Sequence, residues 1–566
     1  MKNSFYIPER FMTVLLCVGA LLGGWMFVGQ TIEEWHKAPV AEQRFFYSVE
    51  EVTKTAREYT QARFGTSLEG YQVSTSFISD GSGLTFLTRT SFSEDEQNAY
   101  RERLGISSVG YFVRFFKEFT EEEYIVTVDA YRNTVSGYTH IVPEDTVISD
   151  TSISDARTVA QTFLSKEGIH AESYSELDAS EITLPGGKEY IFAFSRKESE
   201  LSSEYGDGYA RIDVRVQGDT VMDYRHSIFV PENFFRETAQ DSSVGSLLGL
   251  LSILTIVAMT IASFVVMIRV FVNKSARWRF PLFVTIILLI LSIIDIWNTY
   301  PMTLAWYTTD TSLAVYMITL AVTSMMTSML LLASFFIPAV AGISRAYETD
   351  EARFAPLTAL PQKGTNLTAY LHAMGRGYLI GIIGLGFTFA LYWIGEKYLG
   401  VWYLDFASAE EYDMLVSHVP VFTYALTYGL MAAITEEFLF RMFGILVFRR
   451  IFKSTVIAVI FATLVWAFAH SDGTVFPIWF RGLEVFLGGL IWAYFFIRYN
   501  ILTTVVAHYV HNTILATLML VMGLGYGQII PSILMLGLPW IILGLAYLWG
   551  NRRKSSESVR EFREVG

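Results

Sequence analysis

The chain of 566 residues contains a single cysteine, Cys17. One cysteine excludes an intrachain disulfide and any cysteine-based zinc site. Charge is scarce as well: 17% of residues are charged against 52% hydrophobic, and mean hydropathy is +0.37. A disordered chain needs the opposite balance. The net charge of −13 leaves no basic surplus for nucleic acid, so no nucleic-acid partner is expected. No H-E-x-x-H occurs, which removes the commonest zinc-protease signature. What is abundant is large and apolar, including 43 Phe and 12 Trp. The composition reads as a polytopic α-helical membrane protein.

Charge is also unevenly placed. Residues 31–243 hold 37 acidic and 20 basic side chains, so this one block carries more than the whole negative excess. Before it, Phe11–Gln30 is an uncharged run of about the length that crosses roughly 30 Å of hydrocarbon. Its bulky Trp25-Met26-Phe27, with no A-x-A site after it, reads as an uncleaved anchor rather than a signal peptide. Further apolar runs near 244–272, 280–298, 313–341, 378–396, 419–447, 454–470, 481–497, 500–522 and 529–549 bring the expected spans to about ten.

The positive-inside rule orients them. With the N-terminus cytoplasmic, inner segments carry Lys2, Arg10, Arg269, Lys274, Arg277, Arg279, Arg345, Arg353, Lys363, Arg376, Arg449, Arg450, Lys453, Arg498, Arg552, Arg553 and Lys554. Outer loops carry Glu410, Glu411, Asp413 and Asp472. Both termini are then cytoplasmic in a multi-pass cell-membrane protein, and 31–243 is extracytoplasmic.

The acidic block reads as a duplicated α+β domain between the first and second spans. SVEEVTKTAREYTQARFG (48–65) puts Val49, Val52, Ala56 and Tyr59 at helical spacing. SISDARTVAQTFLSKEG (152–168) repeats it, with Ala160 for Ala56 and Phe163 for Tyr59. Strand-like runs 123–144 and 209–232 follow, each ending in Val-Pro-Glu. Two helix-plus-sheet repeats are expected, near 45–147 and 150–234. The pattern loosely resembles the PepSY-type modules of bacterial membrane proteins. A binding or scaffolding role for an extracytoplasmic ligand is the expectation.

The chemistry lies in the last third. Ionisable groups inside spans are costly and usually functional. AAITEEFLFRMFG places Glu436, Glu437 and Arg441 in the sixth span, LVWAFAHSD places His470 at the end of the seventh, and TVVAHYVHNTI places His508, His511 and Asn512 in the ninth. Glu437 and Arg441 stand at i and i+4, spaced for an ion pair. Glu436 lies roughly 100° around the helix, without a dedicated partner, and suits a general base. His508 and Asn512, also at i and i+4, offer donors to a developing oxyanion. Counted from the inner basic residues, Glu436, His470, His508 and Asn512 lie roughly 15–26 Å deep at 1.5 Å per residue, in one slab. Asp295 in the third span reads as structural. Arg481 and Glu484 read as a local pair near the outer surface.

At these residues the chain resembles the CAAX protease and bacteriocin-processing family, also called CPBP or Abi, of intramembrane glutamic endopeptidases. The family pattern E-E-x-x-x-R, F-x-x-x-H and H-x-x-x-N/D reads here as EEFLFR (436–441), WAFAH (466–470) and HYVHN (508–512). The likeness covers roughly 365–525 and leaves out the outer domain. Trp466 stands where the family usually has Phe, and is expected only to pack below His470.

The resemblance implies that Glu436 and His470 activate a water, that Arg441 positions Glu437, and that His508 and Asn512 stabilise the oxyanion. The absent cysteine ligands and the nearby Arg441 lead to no metal and no cofactor being expected, and His511 falls off the family pattern. The domain plan is then 1–30 anchor, 31–243 outer domain, 244–364 spans two to four with a cytoplasmic loop, 365–525 protease-like core, and 526–566 last span with a basic tail. An endopeptidase acting on a membrane-associated protein or peptide is the leading reading. The alternatives are a non-proteolytic scaffold or regulator binding a membrane partner, a proton-coupled transporter, and a zinc protease.

Overall fold

The computed structural model describes residues 8–37, 45–89, 94–106, 108–197, 199–349, 367–403, 413–471 and 475–549. Lys2, Arg353, Lys363, Glu410, Glu411, Asp472, Arg552, Arg553 and Lys554, named above for orientation, lie outside the described residues.

Helix α1 (Glu9–Lys37) precedes an α+β sheet domain. That domain opens on α2 (Val49–Phe64), started by a Ser48/Glu51 capping box and ended by Gly65 at φ +67°. The box satisfies orphan amides at the N-terminus, and glycine takes the left-handed cap without a Cβ penalty. Helix α2 buries Val52, Ala56 and Thr60, while Val49 stays exposed.

Strands β1 (Gln72–Ile78), β2 (Gly110–Phe116), β3 (Glu123–Asp129) and β4 (Val135–Ile141) follow, with α3 (Gly81–Thr88) and α4 (Glu94–Leu104) between β1 and β2. Then come α5 (Ile153–Lys166), β5 (Tyr174–Leu184), β6 (Gly187–Arg196), the short β7 (Leu201–Ser203), β8 (Gly206–Gln217) and β9 (Thr220–Phe229). All join one antiparallel sheet in the order β1-β2-β3-β4-β9-β8-β6-β5, with β7 on β8. In β8, Gly208, Ala210, Ile212, Val214 and Val216 are buried in alternation, the mark of a sheet covered on one face. The two stretches of sheet meet through β4 and β9, at Tyr138↔Tyr224 and Thr139↔Asp223. Helices α2 and α5 cover this seam: Arg63 lies 4.7 Å from the Tyr138 ring and 4.4 Å from the Phe163 ring.

One half-buried group is expected to make the sheet domain acid-sensitive. His226 contacts the Tyr224 hydroxyl, and burial, aided by the Arg196 charge, pushes its imidazole down to about 4 from an ordinary 6.5. The unfolded chain therefore binds a proton that the folded domain refuses. His226 supports the fold fully above pH 6.5, and that support is lost as pH falls toward 4. Thermal melts of the full protein from pH 7.5 to 4 should show a falling melting temperature. His226→Gln should flatten part of that fall. Identical slopes for the two proteins would refute it.

The membrane region begins with α6 (Glu232–Val272), whose 41 residues start polar and continue as an apolar span. Helices α7 (Arg279–Asn298), α8 (Leu313–Glu348) and α9 (Leu367–Leu399) follow. Residues 420–452 form α10, in which α-helical segments alternate with π-helical turns at Ala425–Met431 and Glu437–Ile445. The last four are α11 (Thr455–Phe468), α12 (Trp479–Arg498), α13 (Ile501–Leu524) and α14 (Tyr526–Trp549). Among the described residues, eight helices are long and apolar enough to cross a membrane, as expected of a multi-pass protein. The expected count of ten differs at 419–447 and 454–470: the first is the π-interrupted α10, and the second holds a helix of 14 residues.

Close helix contacts rest on glycine. A Cβ on Gly381 of α9 would stand 2.7 Å from the Ala507 carbonyl of α13, and one on Gly377 would stand 2.6 Å from Val506 Cβ. This G-x-x-x-G stripe brings α9 against the helix that carries His508. At Gly386 of α9, a Cβ would lie 2.1 Å from Gly23 Cα of α1.

The nine-stranded sheet is docked on the membrane region. Phe77 N–H donates to Asp413 Oδ1 (2.8 Å), Phe46 N–H to the Gly523 carbonyl (2.7 Å), and Phe119 N–H to the Thr309 carbonyl (2.8 Å). Arg114 is buried, pairs with Glu123 at 2.5–2.6 Å and donates to the Tyr307 carbonyl at 2.6 Å. Leu415 and Val416, just before α10, and Val421 and Tyr424, in its first turn, share one apolar cluster with Phe46, Phe77 and Tyr111 of the sheet domain.

Candidate active site

The π-helical turn of α10 begins at Glu437, directly after Glu436. Such turns widen the helix and often occur at functional sites. Glu437 is completely buried, Arg441 is 1% exposed, and the guanidinium Nη1 lies 3.2 Å from Glu437 Oε1. The same Oε1 accepts from His508 Nδ1 of α13 at 3.1 Å. The Arg441 guanidinium lies over the Trp466 ring, 4.0 Å from its centroid. A buried carboxylate needs such partners, since an unpaired charge there is very costly.

Glu436 is less buried, with a quarter of its side chain exposed. The sequence left it without a partner; the structure gives it two neighbours. Trp466 Nε1–H donates to Glu436 Oε2 at 2.5 Å, and His508 Nε2 stands 3.8 Å from that oxygen. Trp466 is therefore more than packing below His470. His508 spans the two carboxylates, Nδ1 toward Glu437 and Nε2 toward Glu436. Its ring lies 4.4 Å from that of Trp492.

His470 Nδ1 lies 2.8 Å from the backbone carbonyl of Trp466. Because a carbonyl only accepts, Nδ1 carries a proton, and the lone pair of that tautomer sits at Nε2. Asn512 donates from Nδ2 to the Tyr428 carbonyl at 2.9 Å. The amide has two N–H groups, so one remains for another acceptor.

These groups converge on one cavity of about 490 Å³, bordered by Glu436, His470, His508, His511 and Asn512 together with Trp466 and Trp492. Glu437 and Arg441 lie behind it, out of solvent. A second cavity of about 310 Å³, toward α6 and α8, shares Glu436, Trp466 and His470 as lining.

Three features were not anticipated. Arg481 and Glu484 do pair, at 2.5 Å, and Thr388 donates to Glu484 at 2.9 Å, but the pair borders the main cavity. The signal was present in the sequence, as two charges opening the span before the histidine helix. His511 also lines the cavity, beside Trp492 and above Gly384. Tyr428 enters through its carbonyl, which no residue pattern reports. Asp295, by contrast, accepts from Thr423 at 2.5 Å in a network with Asn298, away from the cavity.

Comparison with known proteins agrees with this region. Residues 418–514 match the family described as type II CAAX prenyl endopeptidase Rce1-like. The matched segment holds both glutamates, Arg441, His470, His508 and Asn512. This region of the chain is thus of the CAAX-protease (CPBP) type.

Over 139 residues the chain is 28% identical to the sporulation-killing factor biosynthesis protein SkfC of Bacillus subtilis. That alignment covers 24% of this chain and about a quarter, 27%, of the relative's length. No solved structure matches.

Proposed function

We propose that the chain is a membrane-embedded endopeptidase that hydrolyses a membrane-associated protein or peptide, with Glu436 as general base. One observation carries this reading. Four groups of the chemistry that hydrolysis requires, Glu436, His470, His508 and Asn512, come from three helices to border one cavity over a buried ion pair.

In the proposed reaction a water donates its proton to Glu436 as its oxygen attacks the peptide carbonyl. The lone pair at His470 Nε2 orients that water. The carbonyl oxygen, now negative, accepts from the second Asn512 N–H and from His508 Nε2. This role uses both His508 ring nitrogens as donors, Nδ1 toward Glu437 and Nε2 toward the oxyanion. Collapse of the tetrahedral species breaks the C–N bond, and the proton held by Glu436 passes to the departing amine.

The test is membrane proteomics on cells carrying the native chain or Glu436→Ala. A membrane-associated protein should accumulate uncleaved with the variant. Indistinguishable proteomes would remove the proteolytic reading and favour a scaffold.

The proposed orientation puts both termini in the cytoplasm and 31–243 outside, by the basic-loop bias. A soluble protease added to intact cells should remove 31–243 and spare a C-terminal tag. Protection of the outer domain would invert the topology.

A further inference from the structure

We infer that Trp466 is a positioning residue for the base: its indole N–H holds Oε2 of Glu436 and leaves Oε1 to accept the proton from water. This rests on Glu436 being the base, the reading proposed above.

Trp466 touches three residues of the site, each by a different atom group. Its N–H bonds Glu436 at 2.5 Å, its ring face carries Arg441 at 4.0 Å, and its carbonyl accepts from His470 Nδ1 at 2.8 Å. A phenylalanine could supply the ring and the carbonyl. Only the indole supplies the donor.

Room for the larger ring is built into the neighbouring helix. Gly489 of α12 lies against it, and a Cβ there would come within 2.6 Å of Trp466 Cζ3. Trp492 of the same helix also packs against it, with ring centroids 5.8 Å apart. The indole is thus held by packing and in turn holds the carboxylate.

Such a bond matters for geometry. A glutamate side chain rotates about three bonds, and a base must meet its water within hydrogen-bond reach. A single anchored oxygen fixes the carboxylate plane. Misplacement by about 1 Å costs on the order of 10²-fold.

Two readouts test this on the full-length protein in detergent. The first needs no substrate. Label all 12 tryptophans with 5-fluorotryptophan and record the fluorine spectrum. Trp466→Phe identifies the Trp466 resonance by its loss, and Trp466→Tyr does so equally if the first variant folds poorly. Glu436→Gln should shift that resonance, because a charged acceptor has become neutral. An unmoved resonance would show that the bond is absent and overturn the inference.

The second readout is turnover of a library of tryptic peptides prepared from bacterial membranes. Trp466→Phe should lower kcat by about 10–100-fold with KM and melting temperature unchanged. In a Glu436→Gln background it should cause no further loss. A purely structural role would lower the melting temperature and persist in that background. If Glu436→Gln is inactive while Trp466→Phe retains full kcat, the inference fails and the base reading stands. If Glu436→Gln is fully active, the base reading fails, and with it the role assigned to Trp466.

Discussion

Glu436→Gln should cut turnover by about 10²–10⁴-fold and leave the melting temperature where it is. Glutamine keeps the size of the side chain, and its carbonyl oxygen can still accept from Trp466 Nε1. What it cannot do is take a proton from water. Stability should hold because a quarter of the Glu436 side chain is exposed and, among the described residues, its one ion-pair distance within 4.0 Å is to the His508 ring, at 3.8 Å. Removing that charge strands nothing in the apolar interior. The check is turnover of the substrate identified by proteomics, with a thermal melt of the same preparation. Unchanged turnover would sink the protease reading at this site. A large loss of melting temperature would mean that Glu436 holds the fold rather than the water.

How much of this was legible beforehand follows the range of the interactions. Contacts set by helix geometry could be read: Glu437 and Arg441 at i and i+4 meet at 3.2 Å. Helix α5 buries Ala156, Ala160, Phe163 and Leu164, and its amphipathic spacing announced that face. Contacts between helices could be read only as shared depth. Counting residues from the basic ends placed Glu436, His470, His508 and Asn512 in one slab, but gave no side-chain rotation. Hence the Trp466–Glu436 bond, thirty positions apart in sequence, was missed. Arg481 and Glu484 pair as expected, but the cavity they border was not foreseen, because a helix end over a cavity has the same sequence as one over solvent. The π-helical turns depend on packing around α10, and no local propensity encodes them. In the outer domain the alternation of β8 was visible, whereas the union of both stretches in one sheet depends on the β4–β9 pairing at Tyr138 and Tyr224.

Glu437→Gln should behave in the opposite way to Glu436→Gln, lowering stability as well as activity. Glu437 Oε1 faces both Arg441 Nη1 and His508 Nδ1, at 3.2 and 3.1 Å, in a pocket where Glu437 is 0% and Arg441 1% exposed. Loss of that charge leaves the guanidinium against the Trp466 and Trp492 rings, at 4.0 and 5.9 Å, with Glu436 as another anion acting on it. Removing one partner of a buried pair costs about 3–5 kcal/mol in soluble proteins. A lower melting temperature and a lower yield in detergent are the expected results. Replacing the cation as well, as Glu437→Gln with Arg441→Met, removes the stranded charge and places a thioether against the indole, a favourable contact. The double variant should regain most of the lost melting temperature. It should stay slow, because the glutamine no longer holds His508 with a charged acceptor. If Glu437→Gln is inactive yet as stable as the parent while Glu436→Gln remains active, the two glutamates have exchanged roles. If the double variant is no more stable than Glu437→Gln, the cost does not come from the unpaired arginine, and His508 is the partner that matters.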